Sequence, residues 1–358
     1  MSQNSHIEWT DASWNPVAGC TAVSPGCANC YAASMTRRLQ ANPKLAIAYA
    51  GLTNDRHFTG KIALLQNKLD LPLKWKKPRR IFVNSMSDLF HPDVPFEFID
   101  KVFAVMNATI YRIPLQLPFM YWHTYQILTK RPERAAEYLA SREPGIFNPG
   151  AHPLFAAGRG EGGPLRGHGS DIMNAGAIIA WPLANVWIGT SVENQAAADE
   201  RIPHLLRCPA AVRFLSCEPL LGPVDLRQKW VKDFDGTNYE GVFDDRGMEI
   251  ESGIQWLIAG GESGPHCRPC NFDWIRSLRD QCQAAGVPIF IKQLGGNPHG
   301  MWEHGEPPKY HLTHRNGRSE VLESKYKNGR WKLRDRAGRW MDEWPEDLRI
   351  REYPEVAT

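Results

Sequence analysis

Three cysteines near the start of the chain have the residue type and spacing best suited to chemistry. Cys20, Cys27 and Cys30 lie within residues 14–31, with six and then two residues between them. Three thiolates can ligate three irons of a [4Fe–4S] cluster and leave the fourth iron open, whereas four would close a structural site. Prolines and glycines between the cysteines favour a loop, and a helical pattern follows Cys30. The pattern predicts a metal centre with an open position.

Zinc is an equal competitor on spacing alone. Cys27-x2-Cys30 is also a zinc half-site, and Cys267 and Cys270 could supply the remaining ligands. The first residues are polar and no apolar segment follows them, which predicts a cytoplasmic chain and disfavours disulfides. The remaining cysteines are expected to be small buried residues: Cys208, Cys217 and Cys282.

Length and composition are those of a globular protein. The 358 residues are 42% hydrophobic and 23% charged, enough for one large domain or for two. A net charge of only +3 does not indicate a general polyanion binder. No apolar stretch reaches the ~18 residues that a bilayer crossing needs, so no membrane partner is expected.

The elements that must position the cysteines follow from hydrophobic patterning. Nearly continuous apolar runs alternate with amphipathic patterns, which indicates a parallel α/β sheet. We predict a (β/α) barrel, partial or with six to seven strands, and keep a doubly wound open sheet as the alternative. The predicted strands lie in residues 80–88, 125–131, 186–191, 212–218, 256–262 and 289–293, with a seventh near 7–15. Helices are predicted at about 31–39, 132–140, 194–206 and 272–285.

Two segments interrupt this alternation. Residues 141–181 are rich in glycine and proline and are predicted to be an insertion in a barrel domain that spans 1–294. Residues 295–358 form a predicted C-terminal extension with a hairpin at Asn328-Gly329. Basic residues there alternate with Trp331 and Trp340, a pattern that can bind nucleic acid or pack on the barrel with its arginines paired; we favour packing.

Polar residues recur where the predicted strands end. Because carboxyl ends of parallel strands form the functional face, these residues are the candidate site. The principal ones are Asn84, Ser85, Ser87, Asp88, Lys130, Thr190, Ser191, Glu193, Asn194, Glu218, Glu262 and Lys292. Glu218 and Glu262 could alternatively act as the paired carboxylates of a metal-independent hydrolase.

The cysteine loop on such a sheet resembles the radical S-adenosylmethionine (SAM) superfamily. The chain is more closely similar to the bacteriophage-associated three-Cys-motif family, known as phage gp thirty-seven/sixty-eight proteins. The spacing of six and two departs from the commonest radical SAM spacing of three and two, so SAM is implied by the family resemblance. The similar stretches are residues 14–31, 82–91, 126–134, 187–194, 215–220, 260–264, 290–293 and 338–345.

The resemblance implies an enzyme that cleaves SAM to start radical chemistry. It implies a [4Fe–4S] cluster on Cys20, Cys27 and Cys30 and an electron donor such as flavodoxin or ferredoxin. The phage association and the basic tail favour nucleic acid or a nucleotide as substrate. Residues placed by position to contact SAM are Asn84, Ser85, Ser87, Asp88, Thr190, Ser191, Glu193 and Asn194. Residues placed to hold or protonate the substrate are Lys130, Glu218, Glu262 and Lys292. The competing hypothesis is a zinc-stabilised barrel that binds nucleic acid without radical chemistry.

Overall fold

The computed structural model describes residues 5, 7–54, 56–110, 123–142, 157–158, 163–165, 181–226, 230, 253–300, 309–313, 319–323, 325–327 and 330–355. The chain forms two compact units. One comprises Met1–Thr190, Pro203–Arg213 and Val356–Thr358, and the other comprises Ser191–Ile202 and Phe214–Glu355. The boundary predicted after residue 294 stays a prediction, and most of the predicted insertion at 141–181 lies outside the described residues.

The fold is mixed α/β with a seven-stranded parallel sheet. The strands in chain order are β1 Ala12–Trp14, β2 Val17–Ala18, β3 Thr53–Asn54, β4 His57–Phe58, β5 Ala63–Leu64, β6 Arg80–Val83, β7 Thr124–Thr129, β8 Val186–Ser191, β9 Val212–Cys217, β10 Trp256–Gly260, β11 Cys270–Asn271, β12 Ile289–Gln293, β13 Pro298–His299, β14 Lys309–Thr313, β15 Ser319–Glu323, β16 Lys325–Lys327 and β17 Arg330–Lys332. The sheet order is β1-β6-β7-β8-β9-β10-β12.

All six main predicted strands are confirmed, and β1 is the seventh. Every residue of β8, β9 and β10 is buried, which explains why these strands read as continuous apolar runs. The strands follow one another across the sheet in chain order, as in a (β/α) barrel. A doubly wound sheet reverses its strand order, so the order favours the predicted partial barrel over that alternative.

The four predicted helices are present, and the described part of the chain has two more. The helices are α1 Tyr31–Gln40, α2 Ala46–Tyr49, α3 Phe96–Ile110, α4 Pro132–Ser141, α5 Gln195–Leu206 and α6 Phe272–Ala284. Pro132 starts α4, and the Asn271 side chain caps α6 by accepting the Asp273 N–H at 3.0 Å. None of the described helices combines the length and apolar content that crossing a bilayer requires.

The C-terminal segment covers one edge of the sheet. The Ile291 N–H donates to the Ile350 carbonyl at 2.9 Å, and the Glu352 N–H donates to the Ile289 carbonyl at 3.0 Å. The indole N–H of Trp256 donates to the Glu352 carbonyl at 2.9 Å. Strand β12 therefore has its outer backbone groups bonded within its own unit.

The C-terminal extension packs part of its aromatic content inward. Strands β16 and β17 are antiparallel and flank Asn328-Gly329, which confirms the predicted hairpin. Trp331 is buried, and Arg339 pairs with Asp335 at 3.2 Å. The Trp331 ring is thus unavailable for stacking on a base, in agreement with the packed arrangement that we favour.

Candidate functional site

The three cysteines lie on one loop between β2 and α1. All three are partly exposed, and all eight cysteines, which fall in the described part of the chain, have free thiols. Gly19 begins the loop at a φ of +92°, and a Cβ at this position would overlap the carbonyl oxygen of Lys61. Glycine is the residue that this close approach permits. The predicted grouping of three free thiols on one loop is therefore present.

Arg131 fixes this loop to the carboxyl end of β7. Its Nη2 donates to the Thr21 carbonyl at 3.0 Å, and its Nη1 lies 3.9 Å from Cys20 Sγ. The same Nη1 donates to Asp88 Oδ2 at 2.8 Å, with only 11% of the Arg131 side chain and 7% of the Asp88 side chain exposed. We call Arg131, Asp88 and Thr21 the loop anchor.

Asp88 is the residue of the loop anchor that accepts the most hydrogen bonds. Its carboxylate accepts the Phe90 N–H at 3.0 Å, the Thr129 hydroxyl at 2.7 Å and the Lys130 N–H at 3.1 Å, besides the Arg131 guanidinium. These donors come from the ends of β6 and β7, so the carboxylate joins two adjacent strand ends. Four donors on one buried carboxylate fix its position between these two strand ends.

His91 supports the same loop from its other side. The His91 Nδ1 accepts the Asp93 N–H at 3.2 Å, which leaves the proton of the neutral ring on Nε2. That nitrogen lies 2.8 Å from Thr21 Oγ1 and can donate to it. Burial, followed by the positive charge of Arg131, lowers the pKa of His91 below 6.5 and favours this neutral form.

The environment of Cys20 keeps its thiol protonated. Burial and then the negative charge of Asp88 raise the pKa of Cys20 to about 11. The charge and hydrogen bond of Arg131 act in the opposite direction and limit this increase. A cation bound at the loop would replace the proton, because a bound metal lowers the pKa of the thiol that ligates it.

The environment of Cys27 favours its thiolate. Burial alone would raise the pKa of Cys27, but the backbone N–H groups of Val23 and Ser24 and the positive charge of Lys130 together lower the pKa below its usual value. The thiolate is both the nucleophile and the metal ligand, so Cys27 is prepared for either role. Lys130 thus acts electrostatically on a cysteine of the loop, and its contact with substrate stays a prediction.

The turn after β6 holds the chain that leads into the cysteine loop. Asn84 Oδ1 accepts the Val17 N–H at 3.2 Å, and the Ser87 hydroxyl donates to the Val17 carbonyl at 3.0 Å. The Ser85 hydroxyl donates to Asn15 Oδ1 at 3.2 Å. The residues that we predicted to contact SAM therefore position the cysteine loop, and any contact with a cofactor is additional to that role.

The predicted residues at the end of β8 and directly after it form hydrogen bonds within the protein. The Thr190 hydroxyl donates to a carbonyl at the end of β7 at 2.9 Å. In the second unit, Arg201 Nη1 binds Glu193 at 2.9 Å and the Ser191 carbonyl at 2.8 Å, and Asn194 accepts an N–H in the first turn of α5 at 3.0 Å. Glu193 and Arg201 are almost fully buried, so this ion pair is enclosed by the protein, and a cofactor contact of Glu193 stays a prediction.

The second unit brings two of the predicted catalytic residues together. Lys292 Nζ lies 2.7 Å from Glu218 Oε1, and the Gln293 amide donates to the same oxygen at 3.0 Å. Both charged side chains are about one-sixth exposed, at 18% and 17%. Glu262 is bound by a different cation, because Arg268 donates to its Oε2 from Nε at 2.9 Å and from its backbone N–H at 2.8 Å. The two carboxylates therefore have different cationic partners, and the paired-carboxylate hydrolase stays an untested alternative.

Several residues of these clusters were not assigned a role from sequence. Arg131, Arg201 and Arg268 each bind a carboxylate that we did predict, and His91 and Thr21 complete the loop support. Arg131 and Asp88 each end a predicted strand, a signal that places both at the same edge of the sheet but does not pair them. The described residues contain no group of three or more His, Cys, Asp or Glu side chains gathered as metal ligands, so the three sulfurs are close along the chain without converging.

Fold and site define an α/β protein whose parallel sheet carries a three-thiol loop at the carboxyl ends of its first strands. The chain belongs to the DUF5131 family, whose model, described as a protein of unknown function, matches residues 4–343. No curated protein matches the chain. No solved structure matches it either.

Proposed function

We propose that the chain is a radical SAM-type enzyme that holds a [4Fe–4S] cluster through Cys20, Cys27 and Cys30. The observation that carries the proposal is the set of three free, partly exposed thiols on one loop at the functional edge of a parallel sheet. The resemblance to the three-Cys-motif family adds support from stretches outside the loop, because those stretches extend over most of the chain.

The donor set fits an iron–sulfur cluster by its chemistry. Backbone N–H groups point at the Cys27 sulfur, and a guanidinium lies beside Cys20, as is expected around thiolates that carry negative charge to a metal. The sulfurs are not already gathered as a ligand group in the described residues. We therefore propose that the cysteine loop moves when the cluster binds. The loop anchor stays in place, and the movement brings the three sulfurs together.

The bound cluster and SAM would supply one-electron cleavage of a carbon–sulfur bond of SAM. The residues of the chain have the supporting roles. Asp88 and Arg131 hold the loop against the strand ends, and Lys130 offsets the negative charge of the thiolates. Glu218 with Lys292 offers a charged pair for a polar substrate. We propose nucleic acid or a nucleotide as substrate, with the exposed Trp340 available for stacking.

Zinc remains the alternative metal, in a barrel that binds nucleic acid. Its fourth ligand would come from Cys267 or Cys270 under our sequence prediction. Cys270 is fully buried, and burial raises the pKa of its thiol to about 12, which disfavours ligation by that residue. Cys267 is partly exposed and is the better zinc candidate.

The decisive experiment measures iron, zinc and acid-labile sulfide on protein purified without oxygen. We expect about four iron and four sulfide per chain, and SAM cleavage after reduction with dithionite. Cys27→Ala should lose both metal and cleavage, whereas the matched control Cys267→Ala should keep them. If wild type instead contains zinc and no sulfide, and both Cys27→Ala and Cys267→Ala lose the zinc, the radical SAM proposal is wrong and the zinc-protein hypothesis takes its place.

A further inference from the structure

The outer side of the cysteine loop and of α1 exposes apolar side chains. The described residues contain five exposed large hydrophobic side chains: Val23, Tyr31, Met35, Ile47 and Trp340. Four of these five lie within 25 residues of chain that includes two of the three predicted metal ligands. A concentration of exposed apolar residues of this kind marks an interaction surface.

Helix α1 has one buried face and one exposed face. Ala32, Ala33 and Thr36 are buried on its inner face. Tyr31 and Met35 are four residues apart and therefore neighbours on the outer face, and Arg38 continues the same row. The exposed fractions are 53% for Tyr31 and 38% for Met35. We call Val23, Tyr31, Met35 and Arg38 the outer face.

The charged residues of the chain segment that carries the outer face are all basic. Residues 12–54 contain no Asp or Glu, but they contain Arg37, Arg38 and Lys44. A partner that covers the outer face must therefore present negative charge around an apolar centre. A second copy of this chain would bring the like charges of this segment together. Tyr31 is the one aromatic ring of the outer face, and its hydroxyl is bound to the Ser85 carbonyl, so the face lacks the series of rings on which successive bases stack.

The outer face lies directly beside the proposed cluster. Tyr31 follows Cys30 in the chain, and its hydroxyl donates to the Ser85 carbonyl at 3.0 Å, which fixes the ring next to the loop. A protein docked here would come within a short distance of the metal ligands. Electron-transfer partners associate through small interfaces, and one helix face with a loop is of that scale.

We propose that the outer face docks an acidic protein that carries one electron to the cluster; this inference rests on the proposed function. The reduced carrier loses one electron and the metal site gains one electron, and no atoms are exchanged. The apolar centre gives contact area and the basic residues steer the approach of the carrier.

The test uses reduced flavodoxin as the acidic carrier and dithionite as a small reductant that needs no docking. We expect Met35→Glu/Arg38→Glu to lower flavodoxin-driven SAM cleavage at least tenfold and to weaken flavodoxin binding similarly. Dithionite-driven cleavage should stay within twofold of wild type. The control Lys76→Glu/Lys77→Glu makes a comparable charge change at exposed positions before β6, and it should alter neither rate.

Two results would overturn the docking inference. One is a flavodoxin-driven rate that is unchanged in the outer-face variant or equally reduced in the control. The other is loss of RNA binding in that variant with the flavodoxin rate intact, because nucleic acid would then be the occupant. Failure of the proposed function gives a different result: wild type would not cleave SAM even with dithionite. Binding of oxidised flavodoxin to wild type and variant would still test the surface in that case.

Discussion

Replacing Arg131 by methionine tests whether the loop anchor holds the cysteine loop. The substitution keeps a long side chain but removes the 2.8 Å ion pair to Asp88 and the 3.0 Å hydrogen bond to the Thr21 carbonyl. Removing one partner of a buried ion pair costs about 3–5 kcal/mol. Because three other donors still bind the Asp88 carboxylate, we expect a loss of about 3 kcal/mol in the free energy of unfolding, the lower end of that range.

Arg142→Met is the matched control for stability. Arg142 binds Asp100 at 2.8 Å and 3.0 Å, with side-chain exposures of 14% and 5%, and the Tyr138 hydroxyl still donates to Asp100 after the change. We expect a similar loss of about 3 kcal/mol in this variant. Arg142 binds Asp100 and lies over the rings of Phe96 and Tyr138, whereas Arg131 binds the cysteine loop itself. Iron bound after anaerobic reconstitution should therefore fall in Arg131→Met and stay near the wild-type value in Arg142→Met.

Urea unfolding followed by circular dichroism gives the stability, and an iron assay on the same samples gives the occupancy. A loss under ~1 kcal/mol in Arg131→Met, the scale of an exposed ion pair, would refute the energetic argument. Equal loss of iron in Arg131→Met and Arg142→Met would show that iron occupancy depends on the stability of the whole protein and not on the loop anchor. Adding Asp88→Asn to Arg131→Met should recover part of the stability, because the unpaired buried charge is then gone.

Three further predictions concern the same loop. Gly19→Ala should lower the free energy of unfolding by at least about 2 kcal/mol through backbone strain, whereas Gly222→Ala, with 3.6 Å between its added Cβ and the nearest atom, should change it little in thermal unfolding. Because the pKa of His91 is below 6.5 in the folded state, the unfolded state binds more protons as the pH falls, so stability should drop as the pH falls below about 6.5. His91→Gln should flatten this pH dependence; an unchanged slope in urea unfolding would contradict the assignment. In reduced, metal-free protein at neutral pH, mass spectrometry should find Cys27 alkylated by iodoacetamide before any buried cysteine, and earlier labelling of Cys270 would contradict the pKa argument.

The strands of the sheet could be predicted from sequence because burial on both faces makes them continuous apolar runs. Helix α3 was missed for a related reason. Twelve of its fifteen residues are buried, so its sequence lacks the polar stripe by which an amphipathic helix is recognised. The three cysteines were predicted because their grouping is local in the chain.

The loop anchor could not be derived from spacing. Arg131 and Asp88 are 43 residues apart, and their contact depends on β6 and β7 being adjacent and in a particular register. Likewise Lys292 and Glu218 are 74 residues apart. Sequence patterns place polar residues at strand ends, but the choice of partner among several nearby cations depends on side-chain packing that periodicity does not encode.

The covered edge of β12 has a consequence for how the chain can be shortened. An unpaired strand edge is a template on which another chain can add a strand. Removing the residues from 350 onward would expose the backbone groups of Ile289 and Ile291 and remove the acceptor of the Trp256 indole N–H. Such a truncated chain should form oligomers through strand addition. Residues 350–355 therefore prevent self-association by occupying the edge of β12.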